Sequence, residues 1–152
     1  KRKLGDRAGL FALGRKAALT EEERALVGDG ATAFGAGMIY VHSKLLIADG
    51  ARALVSSANI NGRSFGWDSE LGLLWEDAEA VGGLRARLWG QLLEQPCEAL
   101  PAPGGALALW RTQAEANLAL APAERRGFVV PYRLARVRRR GRPAWFVPDD
   151  LV

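Results

Sequence analysis

Residues 38–48 (MIYVHSKLLIA) form a largely apolar, β-prone run that predicts a strand, interrupted only by polar residues at 42–44. Asp49-Gly50 follows as a hairpin turn signal, and residues 52–57 (RALVSS) read as the returning strand. A polar, glycine-containing loop is expected from Ala58 to Asp68, and a third strand over 70–75 (ELGLLW). The period then changes. Val81, Leu84, Leu88 and Leu92 recur at helical spacing, acids gather at the start, and Pro96 stops the pattern, so 77–95 predicts an amphipathic helix with a weak point at Gly82-Gly83. A Pro/Gly-rich linker spans 96–105, and 106–120 predicts a second helix with Leu107, Trp110, Ala114 and Leu118 on one face. Short strands near 127–138 and 143–147 would flank a basic turn around Arg138 to Arg142. At the other end, residues 1–19 are basic and broken by Gly5, Gly9 and Gly14, and a short helix begins at Thr20, where Glu23 three residues on completes a capping box. Gly28, Asp29 and Gly30 mark a turn. The alternation of strands and helices gives an α/β class, a mixed sheet flanked by helices.

Composition narrows the partners only a little. The 152 residues are 49% hydrophobic and 25% charged, which suits a globular domain and excludes a disordered chain. Lysine and arginine number 21 against 17 acids, a net charge of +4 compatible with lipid headgroups or nucleic acid phosphates. Cys97 is the single cysteine, which excludes an internal disulfide. With one histidine, one cysteine and no acid cluster at ligand spacing, neither a metal nor another cofactor is expected. No apolar run reaches the roughly 18 to 20 residues of a membrane span, and no signal peptide is visible. The chain opens Lys-Arg-Lys and its one methionine is Met38, which favours reading it as the C-terminal part of a longer polypeptide.

The chemistry centres on His42, the single histidine. On a strand, His42 and Lys44 share a face. An imidazole serves as nucleophile or general acid/base near neutral pH, and an ammonium beside it can hold a phosphoryl oxygen. Ser57 and Asn59 follow at a strand end with further hydrogen-bonding groups, and Glu70 opens the next strand with a carboxylate able to fix an imidazole tautomer. Alone, each has a plainer reading: a core histidine, a solvated lysine, turn-forming polar residues and a surface acid.

The spacing lifts them. His42-Ser43-Lys44, four residues, then Asp49 matches the H-x-K-x4-D motif of the phospholipase D superfamily, and Ser56-Ser57-Ala58-Asn59 resembles that family's G-S-x-N segment. Ile60-Asn61, Arg63-Ser64 and Asp68-Ser69-Glu70 continue the resemblance, so that the stretch 39–77 is similar to the second catalytic motif of bacterial phospholipases D and phosphatidyltransferases. The resemblance implies one half of a two-lobed enzyme. Residues 1–95 would be the catalytic half-domain, with the motif at 42–49 and the S-S-x-N segment at 56–59, and 96–152 a linker and extension packed on it. It implies His42 as the catalytic histidine and general acid, Lys44 and Asn59 as binders of phosphoryl oxygens with Ser57 assisting, Glu70 as the orienting carboxylate and Asp49 as part of the catalytic motif in a mainly structural role. Ser56 departs from the family, which usually has glycine there, and puts the loop geometry in question.

The family mechanism uses two histidines on one phosphate, and this chain has one. The leading expectation is a phosphodiesterase or phosphatidyltransferase acting on phospholipid through a phosphohistidine, peripheral to a membrane. Its second half-site would lie in the same full-length chain or in a dimer partner. The rivals are a nuclease of the same superfamily working as a symmetric dimer, with nucleic acid ranked behind lipid, and an inactive membrane-binding lobe. The arginines at 133, 136, 138, 139, 140 and 142 read first as a solvated hairpin and second as a contact for anionic headgroups or nucleic acid. Of the five tryptophans, Trp75, Trp89 and Trp110 are expected in the core and Trp67 near the pocket.

Overall fold

A computed structural model describes residues 7–27, 32–33 and 35–132. In chain order the elements are β1 (Phe11–Ala18), α1 (Glu21–Val27), β2 (Thr32–Ala33), β3 (Ala36–Met38), β4 (Lys44–Ala48), β5 (Arg52–Ser56), α2 (Gly62–Gly66), β6 (Gly72–Glu76), α3 (Ala78–Leu93), α4 (Pro103–Leu118) and β7 (Val129–Pro131). This is the expected α/β class: two small antiparallel sheets, ordered β2-β3-β1-β7 and β4-β5-β6, accompanied by helices. The chain divides into two compact units, one of His42–Arg85 and one of the described parts of Lys1–Val41 and Ala86–Arg133, with the boundary inside α3. The arginine group and the strand expected at 143–147 lie outside the described residues, as does most of the basic run that follows β7.

Within His42–Arg85 the Asp-Gly signal produces the hairpin it predicts. Asp49 and Gly50 both adopt left-handed φ values, 54° and 69°, and the Ala51 N–H donates to the Ala48 carbonyl at 3.1 Å. The turn fixes the register Lys44↔Ser56 through Ala48↔Arg52, and β6 continues it with Ser56↔Gly72 through Arg52↔Glu76. Asp77 then stops the strand and caps α3, accepting from the N–H groups of Glu79 (3.0 Å) and Ala80 (2.9 Å). Both faces of this sheet are apolar. Leu46, Leu54 and Leu74 stand in one cross-strand row, and Leu45, Val55 and Leu73 in the row beside it on the opposite face. Leu46 and Leu74 are each 61% exposed and Leu73 67%.

The expected strand over 38–48 is two strands separated by extended chain, and His42 lies in the interval rather than on a strand. The cause is a change of partner. β3 pairs with β1, and the next N–H, that of Ile39, still donates to the Leu13 carbonyl at 2.7 Å, whereas β4 pairs with β5 in the other sheet. A run that serves two ladders has to break between them.

The other unit closes around long-range contacts. β1 was not foreseen in the glycine-interrupted N-terminal stretch. It pairs with β7 from Phe11↔Pro131 to Leu13↔Val129 and with β3 on its other edge. Buried Leu93, Ala114 and Val129 form a core joined by Phe11, Leu13, Trp89, Leu92, Leu109 and Trp110. Trp110 lies 5.4 Å from Phe11 and 5.8 Å, edge-on, from Trp89, which agrees with the core role expected for Trp89 and Trp110. α1 begins at the expected capping box: the Glu23 N–H donates to Thr20 Oγ1 at 3.1 Å and the Thr20 N–H to Glu23 Oε2 at 2.9 Å. That bond, together with Arg15, holds the Glu23 carboxyl below the usual carboxylate range.

Polar side chains clamp the segment leading into β7. Asn117, 1% exposed, donates to the Arg126 and Val129 carbonyls at 2.9 and 2.8 Å and accepts from the Arg126 N–H at 3.1 Å. Gln113 donates to the carbonyls of Leu93 and Arg126 at 2.7 and 2.8 Å. Gly127 has φ 63°, and a Cβ there would lie 2.4 Å from the Leu92 carbonyl oxygen, so this close passage of two backbones requires glycine. Replacing Asn117 by Ala should therefore leave the Arg126 N–H and the buried Val129 carbonyl short of a partner, while the Arg126 carbonyl keeps Gln113. We expect a loss of about 3 kcal/mol in urea denaturation; a loss below about 1 kcal/mol would show that the clamp contributes little.

Candidate functional site

The antiparallel order β4-β5-β6 makes β4 and β6 run the same way, with β5 between them running back. The starts of β4 and β6 and the end of β5 therefore meet at one edge of the sheet. Lys44 pairs with Ser56 and Ser56 with Gly72, so these three form the terminal row. His42 lies two residues before Lys44, Ser57 and Asn59 just beyond Ser56, and Glu70 two residues before Gly72. That row spans about 10 Å across three strands, and His42, Ser57, Asn59 and Glu70 each lie within three residues of it in sequence. Asp49 is not among them. It forms the turn at the far end of β4, about 16 Å from Lys44 for five residues of strand.

At the gathered edge the hydrogen bonds are specific. Lys44 Nζ donates to the His42 carbonyl at 2.7 Å, which ties the ammonium to the backbone of the histidine. Ser57 Oγ donates to Glu70 Oε2 and accepts from the Leu71 N–H at 2.9 Å, and the Ser57 N–H donates to the Leu71 carbonyl at 2.9 Å. The Ser57 hydrogen is thus directed to the carboxylate. Ser56, where the resemblance leads to an expectation of glycine, is used locally: its Oγ accepts from the Ala58 N–H at 3.0 Å and donates to the Leu71 carbonyl at 3.3 Å. Serine at this position closes the strand end with its own side chain.

The stretch 58–68, read from sequence as loop, contains α2. Asn61 caps it through Oδ1, which accepts from the Ser64 N–H at 2.9 Å, and Ser64 Oγ accepts from the Asn59 N–H at 3.0 Å. Arg63 and Asp68 pair across it at 3.1 Å. The Asn61-x-x-Ser64 spacing was the available signal for this turn of helix, too short for hydrophobic periodicity to reveal.

Glu70 collects these interactions. Hydrogen bonds from Ser57 and then Ser64 hold its carboxyl below the usual carboxylate range, and the charges of Lys44 and Arg63 act in the same direction. The site thus has an exposed carboxylate kept charged at neutral pH, a half-buried ammonium and an exposed imidazole. Trp67, in the following turn, is 83% exposed. Among the described residues, no group of three His, Cys, Asp or Glu side chains could hold a metal ion, and no helix is long and apolar enough to cross a membrane.

Residues 15–90, half of the chain, match the family described as cardiolipin synthase, PLD-like domain. Among curated proteins, phospholipase D zeta 1 of Arabidopsis thaliana is 56% identical over 45 residues, which is 28% of this chain and 4% of that protein. Phospholipase D2 of Bos taurus is 54% identical over 44 residues (28% of this chain and 5% of that protein), and human phospholipase D1 is 52% identical over 46 residues (29% and 4%). The match spans no more than 5% of the length of these relatives. The residues matched by the family include both the β4-β5-β6 sheet and the edge that carries His42, Lys44, Asn59 and Glu70. The chain belongs to the phospholipase D superfamily, through a cardiolipin synthase-like PLD domain.

Proposed function

We propose that this chain supplies one of the two half-sites of a phospholipase D-type phosphodiesterase or phosphatidyltransferase that acts on phospholipid at a membrane surface. The observation that carries this reading is the convergence of His42, Lys44, Asn59 and Glu70 on one edge of a sheet whose register brings their strands together. In the proposed reaction, an imidazole from the second half-site attacks phosphorus and forms a phosphorus–nitrogen bond. His42, as imidazolium, gives its proton to the leaving alcohol as the phosphorus–oxygen bond breaks. Neutral His42 then takes a proton from water or an acceptor alcohol, whose oxygen displaces the first imidazole and releases phosphatidic acid or the new ester. No metal or other cofactor enters.

Lys44 and Asn59 bind the non-bridging oxygens in this scheme, Lys44 as a point charge and Asn59 through its side-chain amide. Ser57 assists from behind, through Glu70. Glu70 stabilises and orients the imidazolium of His42. Asp49 serves the hairpin, in keeping with its left-handed turn position. The second histidine comes from another half-site. The much greater length of the matched relatives supports a half in the same full-length polypeptide, with pairing of two copies as the alternative.

In an enzyme containing both half-sites, His42→Ala should lower phospholipid turnover by roughly 10²- to 10⁴-fold with the protein still folded. Retention of near wild-type turnover would remove His42 from the chemistry and overturn the proposal. Glu70→Gln, which keeps the shape and loses the charge, should lower turnover by about a hundredfold. The direction of the pH dependence follows from the lowered carboxyl: Glu70 is charged above its depressed value, so its contribution to activity persists through neutral pH and is lost only as pH falls through that value. A pH–rate profile should show that acid limb in the wild type and lack it in Glu70→Gln. Sedimentation of the 152-residue chain beside the same assay separates the two sources of the second half: an active dimer would support paired copies, an inactive chain a second half in the same polypeptide, and a monomer that cleaves a phosphodiester unaided would overturn the two-half-site reading.

A further inference from the structure

Three donors surround the Leu71 carbonyl, one residue past Glu70. The Ser57 N–H reaches it at 2.9 Å, Ser56 Oγ at 3.3 Å and Ser57 Oγ at 3.4 Å. A carbonyl oxygen has two lone pairs, and a serine hydroxyl has one hydrogen to give. The Ser57 N–H takes one lone pair, in continuation of the pairing between β5 and β6. The other goes to one serine hydroxyl or to the other. The Ser56 hydroxyl is aimed at it, because its oxygen accepts from the Ala58 N–H at 3.0 Å and leaves the hydrogen for Leu71. The Ser57 hydroxyl has a choice. Its oxygen accepts from the Leu71 N–H at 2.9 Å, and its hydrogen has both the Leu71 carbonyl and Glu70 Oε2 within reach. We propose that Ser56 is a positioning residue of the site: its hydroxyl fills the Leu71 carbonyl and thereby commits the Ser57 hydrogen to the Glu70 carboxylate. What Glu70 then does for His42 rests on the proposed function; the competition of two serines for one carbonyl does not.

The competition has a sign. A charged carboxylate is the stronger acceptor and keeps the Ser57 hydrogen whatever Ser56 does. A protonated carboxyl is a weaker one, and the Ser57 hydrogen would then turn to the Leu71 carbonyl if a lone pair were open. Ser56 closes that alternative, so the protonated form of Glu70 gains nothing from it and the charged form is favoured. Removing the Ser56 hydroxyl opens the lone pair, stabilises the protonated form and moves the Glu70 titration up. The fold has little need of this hydroxyl. Ser56 pairs with Lys44 and Gly72 through its backbone, the Ser57 N–H still reaches Leu71, and the turn beyond is held by Asn61 Oδ1 on the Ser64 N–H. Ser56→Ala should therefore leave the sheet edge in place and change where one hydrogen points.

The test uses the 152-residue chain, isotopically labelled, with NMR observation of the Glu70 carboxyl carbon and the Leu71 carbonyl carbon across the acid range. In Ser56→Ala the Glu70 titration should move up toward the ordinary carboxylate range. The Leu71 carbonyl should respond more strongly as Glu70 protonates, because the Ser57 hydrogen now moves onto it. Ser56→Thr, which restores a hydroxyl on a strand-favouring residue, should return both signals toward wild type. Ser56→Gly should follow Ala and serves if Ala does not fold. In an active two-half enzyme, Ser56→Ala should lower kcat about threefold and shift the acid limb to higher pH, with rescue by Thr. An unchanged Glu70 titration and an unchanged Leu71 response in a folded Ala or Gly variant overturn the proposal, as does a Thr variant that behaves like Ala. If the wild-type enzyme shows no phosphodiester turnover, the proposed function fails and the NMR result still decides the role of Ser56.

Discussion

The candidate site depends on register. One row of Cα partners, Lys44, Ser56 and Gly72, determines which residues meet at the sheet edge. A slip of one residue in β5 would turn its side chains to the opposite face and carry Ser57 and Asn59 away from Lys44. The slip is opposed at both ends. At one end, consecutive left-handed residues Asp49 and Gly50 hold the hairpin; at the other, the Ser57 hydroxyl bridges β5 to the residues entering β6. The serine that orders the carboxylate also anchors the pairing that brings it there.

Electrostatics follows from this geometry. Exposed acids in water gain little from single neighbours. Glu70 differs by accepting the Ser57 hydroxyl while Ser64, Lys44 and Arg63 stand near enough to act in the same sense. Lys44 is in turn bonded to the His42 carbonyl, so the ammonium follows the backbone that bears the imidazole. Lys44 and Glu70 are therefore held mainly by local backbone and hydroxyl contacts, not by burial.

Much of this was legible in sequence where short-range signals were strong. The Asp49-Gly50 turn, the Thr20/Glu23 capping box and the period of Val81, Leu84, Leu88 and Leu92 each rest on residues within a few positions of one another, and each element formed near its expected limits. β1 was hidden because its reasons for being a strand, β7 and β3, lie far along the chain or on the far side of α1. The break at His42 was hidden for a related reason: composition could not show that 38 and 44 belong to different sheets. The motif pointed to the candidate residues by spacing, whereas the bonds from Ser57 to Glu70 and from the Asn59 N–H to Ser64 required coordinates.

The sheet of β4, β5 and β6 has apolar rows on both faces, and β4 and β6 are its edge strands. Antiparallel sheets in water ordinarily keep one polar face, and exposed apolar edges invite pairing with other chains. With Leu46, Leu73 and Leu74 more than half exposed, this sheet has the character of an interior layer. Handled as a separate piece, such a sheet poses a colloidal problem: apolar faces open to water favour association as concentration rises, and covering those faces becomes part of keeping the hairpin in register.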